Sequence, residues 1–357
     1  VNGRAFDAQV VLSPPESKLG MLLQQYVCAR VTRMDGIDIG LFDFDRHNAL
    51  YYFVINADEQ ILLRYGGRDA ESATTYLNLR SLELALEEGL RMHESKVPLE
   101  GTRPQPLFPS DIPLLKKRTA WRGECVECHL IADYQNLHRE QDGTLDRIRD
   151  MYRSPDIKTI GIHLDVPRGL VVKESSGAVA DAGLQAGDRI MYLNGIRVRT
   201  FGDLQFHYDK VSRDAREIRL GIEREATARE LVVKLPDRWW LTDLEFRHWT
   251  VEPLVFFKTA PLGAKQKAEL GLPIDGFAGE VIETERFHSF ANPALKRGDI
   301  VFGVQGIQRD DIANTPELQI KLRHRAGSTL ELQVLRDGER FESVLTTERQ
   351  NFRKVEP

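Results

Sequence analysis

An internal repeat constrains this chain more than any other feature. Gly187-Asp188-Arg189-Ile190, followed by Asn194-Gly195, recurs as Gly298-Asp299-Ile300-Val301, followed by Gln305-Gly306. Gly187 and Gly298 stand 111 residues apart, as do Gly195 and Gly306. The match extends upstream, where Gly169-Leu170-Val171-Val172 answers Gly279-Glu280-Val281-Ile282, and downstream, where Ile222-Glu223-Arg224 answers Val334-Leu335-Arg336. A correspondence this long means one fold used twice, in a chain whose 357 residues predict two or three domains.

Each copy reads as short strands around one helix. In the first, the patterns predict strands over 169–173 and 188–193, the latter closed by Asn194-Gly195, with a helical turn over 178–182 ended by Gly183. Residues 201–211 carry a helical apolar pattern, and 217–223 with 230–235 predict a closing hairpin. The run SGAVADAGLQAGDRI (176–190) in this context resembles PDZ domains of the bacterial, protease-associated type. The second copy departs from that run, because Ala294 stands before Leu295 where the first has Gly183, and Ala resists the positive φ that Gly permits.

The resemblance implies binding of protein or peptide partners by strand addition, with a chain terminus held by backbone amides of the loop before a strand. In the first copy that loop is expected at Thr159-Ile160-Gly161-Ile162, with Ile160, Gly161 and Ile162 as the peptide-binding residues. In the second it is expected near Leu270-Gly271-Leu272, where Pro273 lacks an amide proton and hinders strand addition. Turns that merely pack on the sheet are the alternative.

Between the repeats and the N-terminal third lies Cys125-Val126-Glu127-Cys128-His129, a CxxCH that uses two of only three cysteines. This is the attachment pattern of c-type haem, both thiols adding to vinyl groups and His129 becoming the proximal iron ligand. Met151 and His138 are the candidate distal ligands. A local disulfide remains open, as does a zinc site of Cys125, Cys128, His129 and His138.

In the N-terminal third, Leu19 to Gln25 reads as a helix and Tyr26 to Thr32 as a buried strand. Leu50 to Ile55 and Gln60 to Tyr65 read as a hairpin, with a helix from about Ala70 to His93. This order, with the phrase FVINADEQILLRYGG (53–67), resembles the C-terminal half of a thioredoxin fold. The CxxC that thioredoxin chemistry needs is missing from this domain. Cys28, flanked by Val27 and Ala29, is a weak redox candidate against its plainer reading as a small buried hydrophobe. Asp43 and Asp45 alternate with aromatics and are expected on one side of a strand.

With the segments YVCARV, DIGLFDFD, INADEQILLRYGGRD and 235–247 added to the CxxCH and the repeats, most of the chain is similar to a bacterial family of (seleno)proteins joining a thioredoxin-like domain to PDZ domains. The fold class expected is multidomain, α/β plus mostly-β. Its divisions are a thioredoxin-like domain at 1–110, a CxxCH segment at 111–154, and PDZ-like domains at 155–238 and 239–357.

The net charge of -5 is mixed in sign without a basic block, which argues against nucleic acid. No GxSxG stands in the chain to suggest a serine hydrolase. A start at Val1 without Met predicts a mature extracytoplasmic protein, periplasmic or secreted. The function expected from these features is haem-c electron transfer docked through tandem PDZ domains, with a non-enzymatic PDZ scaffold as the alternative.

Overall fold

The computed structural model describes residues 2–96, 103–122, 126–242, 252–284 and 295–349. Cys125 and Ala294 lie outside the described residues. The chain is mixed α/β with several antiparallel sheets, and it divides into two compact units, one of 1–132 with 152–243 and one of 133–151 with 244–357. No helix among the described residues is long and apolar enough to cross a membrane.

The first unit opens with helices α1 (Asn2–Val11) and α2 (Lys18–Leu23), then the hairpin β1 (Tyr51–Ile55) and β2 (Ile61–Gly66), then helix α3 (Leu79–Glu94). Helix α3 buries Leu82, Ala85, Leu86, Gly89 and Met92 at helical spacing, and Asn78 caps it by accepting from the amides of Arg80 and Ser81. Its apolar face meets Leu62, Leu63 and Tyr65 of β2 and Leu19 and Leu22 of α2 in one core.

Among the described residues one expected strand is absent and the expected helix starts later than its pattern. Tyr26 to Thr32 is an exposed, unpaired stretch, held by Tyr26 Oη donating to Leu86 O at 2.5 Å and by the Arg30–Asp7 ion pair. No strand among the described residues pairs with it. Cys28 is accordingly exposed, so the reading of it as a buried hydrophobe is corrected. Residues 70–78 form a loop, because Asp69 Oδ1 accepts from the amides of Glu71 and Ser72 and starts a turn that competes with helix. Asp43 and Asp45 also sit outside any strand.

The chain continues through α4 (Pro113–Arg122), α5 (Cys128–Asp142) and α6 (Arg147–Met151) into the first repeat. That repeat comprises β3 (Ile162–Leu164), β4 (Val172–Ser175), α7 (Gly177–Asp181), β5 (Arg189–Leu193), β6 (Ile196–Arg197), α8 (Phe201–Asp209), β7 (Glu217–Arg224) and β8 (Thr227–Lys234). Strands β6-β5-β7-β8 form one sheet and β3-β4 another.

The second unit joins the end of α5 and α6 to the second repeat. The repeat runs β9 (Phe257–Pro261), α9 (Ala264–Glu269), β10 (Gly279–Thr284), β11 (Ile300–Val304), α10 (Pro316–Arg323), β12 (Thr329–Arg336) and β13 (Glu339–Thr346). Its sheet has the order β13-β12-β11-β10-β9. Arg147 of α6 ties the unit together, donating to Glu252 O at 2.6 Å and to Lys321 O, and pairing with Glu140 at 2.7 Å.

What the repeats share is the turn around the Gly-Asp pair. Gly187 and Gly298 both have φ of 92°, a left-handed conformation that favours glycine, and each donates its amide to the facing strand, at Val172 O and Val281 O. The next residue is a buried aspartate that holds an arginine of the closing hairpin: Asp188 lies 2.6 Å from Arg224 and Asp299 2.7 Å from Arg336. The arginine in each downstream match is thus the partner of the aspartate in the repeat.

Candidate functional site

The residues expected to capture a peptide in the first repeat are Ile160, Gly161 and Ile162. A 3-10 turn over Ile157–Ile160 brings the chain to Gly161, whose φ is 94° and whose position a Cβ would bring to 1.8 Å from Ser176 O. The left-handed turn is therefore built for glycine. Gly161 donates its amide to Lys158 O at 3.0 Å, and Ile162 pairs with Ser175 on β4. Ile160 and Ile162 are both 1% exposed. These residues form a closed turn, with the Gly161 amide already engaged.

The face of α8 that carries Phe201, Gln205 and Tyr208 is also occupied, by the chain's own residues. Gln205 Nε2 donates to Arg68 O at 2.7 Å while its Oε1 accepts from Arg68 N at 3.3 Å. One turn earlier, Asp203 Oδ1 accepts from Arg64 N at 2.9 Å and Thr200 Oγ1 donates to Arg64 O. Three side chains, Gln205 alone for Arg68 and Asp203 with Thr200 for Arg64, thus take the amide and carbonyl of a residue of β2 and of one just beyond it, satisfying backbone groups that an open strand edge leaves unpaired. Tyr76 stacks on Phe201 with centroids 3.3 Å apart, and Lys158 pairs with Asp69 at 2.8 Å.

Beyond β8 the chain turns back over the same helix. Trp239, 2% exposed, packs on Tyr208 at 4.8 Å, and its carbonyl accepts from Thr159 Oγ1 at 2.7 Å. Trp240 donates its indole N–H to Arg213 O at 3.1 Å. Burial raises the Asp203 carboxyl to about 6 and lowers the His207 imidazole to about 4, Arg64 and Lys210 adding to the effect on His207.

In the second repeat the expected loop near Leu270-Gly271-Leu272 follows α9, between β9 and β10, and so does not precede the first strand. The segment before β9 is 252–256. The cause is the longer β9–β10 connection, which contains α9 and shifts the register of the repeat upstream of Gly279. Strand β9 is the edge of its sheet, and α10 seals it: Glu317 accepts from Thr259 N at 2.9 Å and from Thr259 Oγ1 at 2.7 Å. Lys321, one turn on, donates to Pro253 O at 2.7 Å. Both side chains are buried, and burial raises the Glu317 carboxyl.

At the CxxCH, Cys128 begins α5 and His129 is half exposed, its Nε2 lying 2.8 Å from Glu127 Oε2. Burial pushes the Cys128 thiol up, with the nearby Arg46 charge opposing, so it lacks the lowered pKa of an activated thiolate. Arg46 is 6% exposed, lies over the Phe44 ring at 4.2 Å, and is drawn down to about 10 by burial. Of the expected pair only Cys128 lies among the described residues, and the charged groups near it and His129 are Arg46 and Glu127.

His138 belongs to the second unit and pairs with Asp142 at 3.2 Å, and Met151, in the same unit, is 1% exposed. No group of three or more His, Cys, Asp or Glu side chains among the described residues is arranged to hold a metal ion. Cys28 is exposed, its thiol 3.6 Å from Leu23 O.

The residues that sequence reasoning passed over are Thr200, Asp203, Gln205 and Trp239. Trp239-Trp240, three residues after Pro236, was the available signal, since paired indoles in a linker mark a segment that packs.

No protein-family model matches this chain, and no curated protein matches it. Among solved structures, similarity falls on an HtrA-type protease AlgW. A variant of it with decapeptide shows 14% identity over 40% of this chain and 43% of that one, with a TM-score of 0.24. The same protease with tripeptide shows 11% identity over 37% and 52%, TM-score 0.23, and with decapeptide 16% over 38% and 42%, TM-score 0.22. The chain covers about half or less of the length of each.

Proposed function

We propose that this chain is a non-enzymatic scaffold with two PDZ domains, the first of which holds the chain's own N-terminal domain on its peptide-binding helix. The observation that carries this reading is the pairing of Gln205 with the amide and carbonyl of Arg68. A helix that takes backbone groups in this way performs the task of peptide capture on an internal segment. The N-terminal residues are a reduced thioredoxin-like domain that keeps a hairpin and a helix without a dithiol of its own. The seal of Glu317 and Lys321 over β9 gives the second PDZ domain a structural role.

Two measurements on the full-length protein test this. Peptides with an apolar C-terminal residue and a free carboxylate should show no binding to the wild type at millimolar concentration. Gln205→Ala should bind them at least tenfold more tightly, because it releases the Arg68 backbone from α8. Equal binding by both proteins would refute the internal clamp. Protein exported by a host with working cytochrome maturation should give no haem-stained band on a denaturing gel; a stained band that Cys128→Ala removes would replace the scaffold with an electron carrier.

A further inference from the structure

Within the first unit, a cavity of about 310 Å³ separates α3 from the first repeat. Its floor is apolar, made by Leu84 and Ala85 of α3 with Leu170, Ile190, Val198 and Phe201 of the repeat. Its rim is cationic, with Arg91, Arg168, Arg189, Arg197 and Arg199 against Glu87 and Glu88. The charges do not cancel evenly. Glu87 is matched by Lys18 at 2.5 Å, and Glu88 by Arg91 at 2.6 Å and Arg199 at 3.2 Å. Arg197 also lies near Glu88, so three arginines share that one carboxylate and the rim keeps an excess of positive charge, with Arg168 and Arg189 the least compensated. Among the described residues Arg168 pairs with Asp165 at 3.8 Å, Arg197 donates to the neutral Tyr192 hydroxyl at 3.0 Å, and Arg189 forms no ion pair.

The geometry points to a binding site for a small amphipathic anion, an apolar body on the floor with one carboxylate or phosphate at the Arg168, Arg189 and Arg197 rim. The volume suits a compact ligand, at the lower end of pockets that take small molecules, and a mostly apolar lining with a few convergent charges is the pattern of such pockets. Guanidinium groups match the planar carboxylate and the phosphate oxygens by paired hydrogen bonds, so they select the anion rather than the chain. Both walls contribute, so the ligand contacts the N-terminal domain and the first repeat together and strengthens their association by mass action.

The test uses the full chain and three probes of equal chain length: decanoate, decanol and decyltrimethylammonium, each titrated calorimetrically below its aggregation threshold. Decanoate should bind saturably at one equivalent, at least tenfold more tightly than decanol, with no binding of the cation. The double variant R168E/R189E should weaken decanoate at least tenfold while leaving the circular dichroism spectrum unchanged. Leu84→Trp, which fills the floor without touching the charges, should weaken decanoate and decanol alike. Lack of decanoate binding, equal affinity for decanol, or affinity unaltered in R168E/R189E each overturns the proposal; if that double variant fails to fold, undiminished decanoate binding by Leu84→Trp does so.

Discussion

Replacing Gln205 tests the central contact of the first unit most directly. Gln205 is 3% exposed and Arg68 7%, so neither group of the pair has water to fall back on. In Gln205→Met the side-chain volume is nearly kept, but the amide and carbonyl of Arg68 lose their partners. A net hydrogen bond contributes about 1 kcal/mol, and a buried group left unsatisfied costs about 1–3 kcal/mol. The two bonds differ in quality, 2.7 Å against 3.3 Å, which places the expected loss at the carbonyl above that at the amide. A loss of about 2 kcal/mol follows for Gln205→Met. Gln205→Ala adds about 1 kcal/mol or more for the space left behind.

Because the chain holds two units, whole-protein unfolding need not be two-state, and the local quantity is the one to read. Native-state hydrogen exchange over residues 64–78 reports opening of this contact. At tenfold per 1.4 kcal/mol, exchange there should speed up by about 30-fold in Gln205→Met and by more in Gln205→Ala. Amides of the second unit should not change. Exchange over 64–78 within threefold of the wild type in both variants would refute the argument that this carboxamide holds the segment.

Two further outcomes follow. Glu225 and Ala226 turn the β7–β8 hairpin with φ of 50° and 58°, whereas the matching turn of the second repeat uses Asp337-Gly338, so E225N with A226G should raise stability by about 1 kcal/mol in thermal unfolding, and an unchanged or lower melting temperature would count against it. His207 is neutral in the fold with its pKa lowered to about 4, so protons bind the unfolded chain first, and stability from this group is lost as pH falls from 6.5 toward 4. Asp203, raised to about 6, acts in the opposite sense, giving back stability as pH falls through 6 toward 3.8. The difference in stability between His207→Gln and the wild type should therefore grow in favour of the variant below pH 6.5 and stay flat above it; parallel profiles would remove His207 from the account.

Local sequence alone determined the parts of this protein whose physics lies within a few residues. The hairpin at 51–66 follows from two apolar strands around Asn56 and Asp58, and the helix at 201–209 from its apolar period. The repeat carries its own chemistry, because a left-handed glycine followed by a buried aspartate can be read from Gly-Asp and its arginine from the downstream match. Tertiary structure decided what those elements do. Tyr26 to Thr32 has the composition of a strand and pairs with none among the described residues, while Ala70 to Asn78 continues a helical pattern into a loop whose backbone is claimed by Asp69 and whose neighbour Arg68 is claimed by Gln205. The inserted α9 moved the second repeat's loop to 252–256, out of the register that the matching glycines implied. Gln205 lies 137 residues from Arg68, and Glu317 58 from Thr259, separations at which periodicity carries no information. Whether a groove stays open or is filled by the chain itself depends on such pairs, since they form only after the local elements have been packed together.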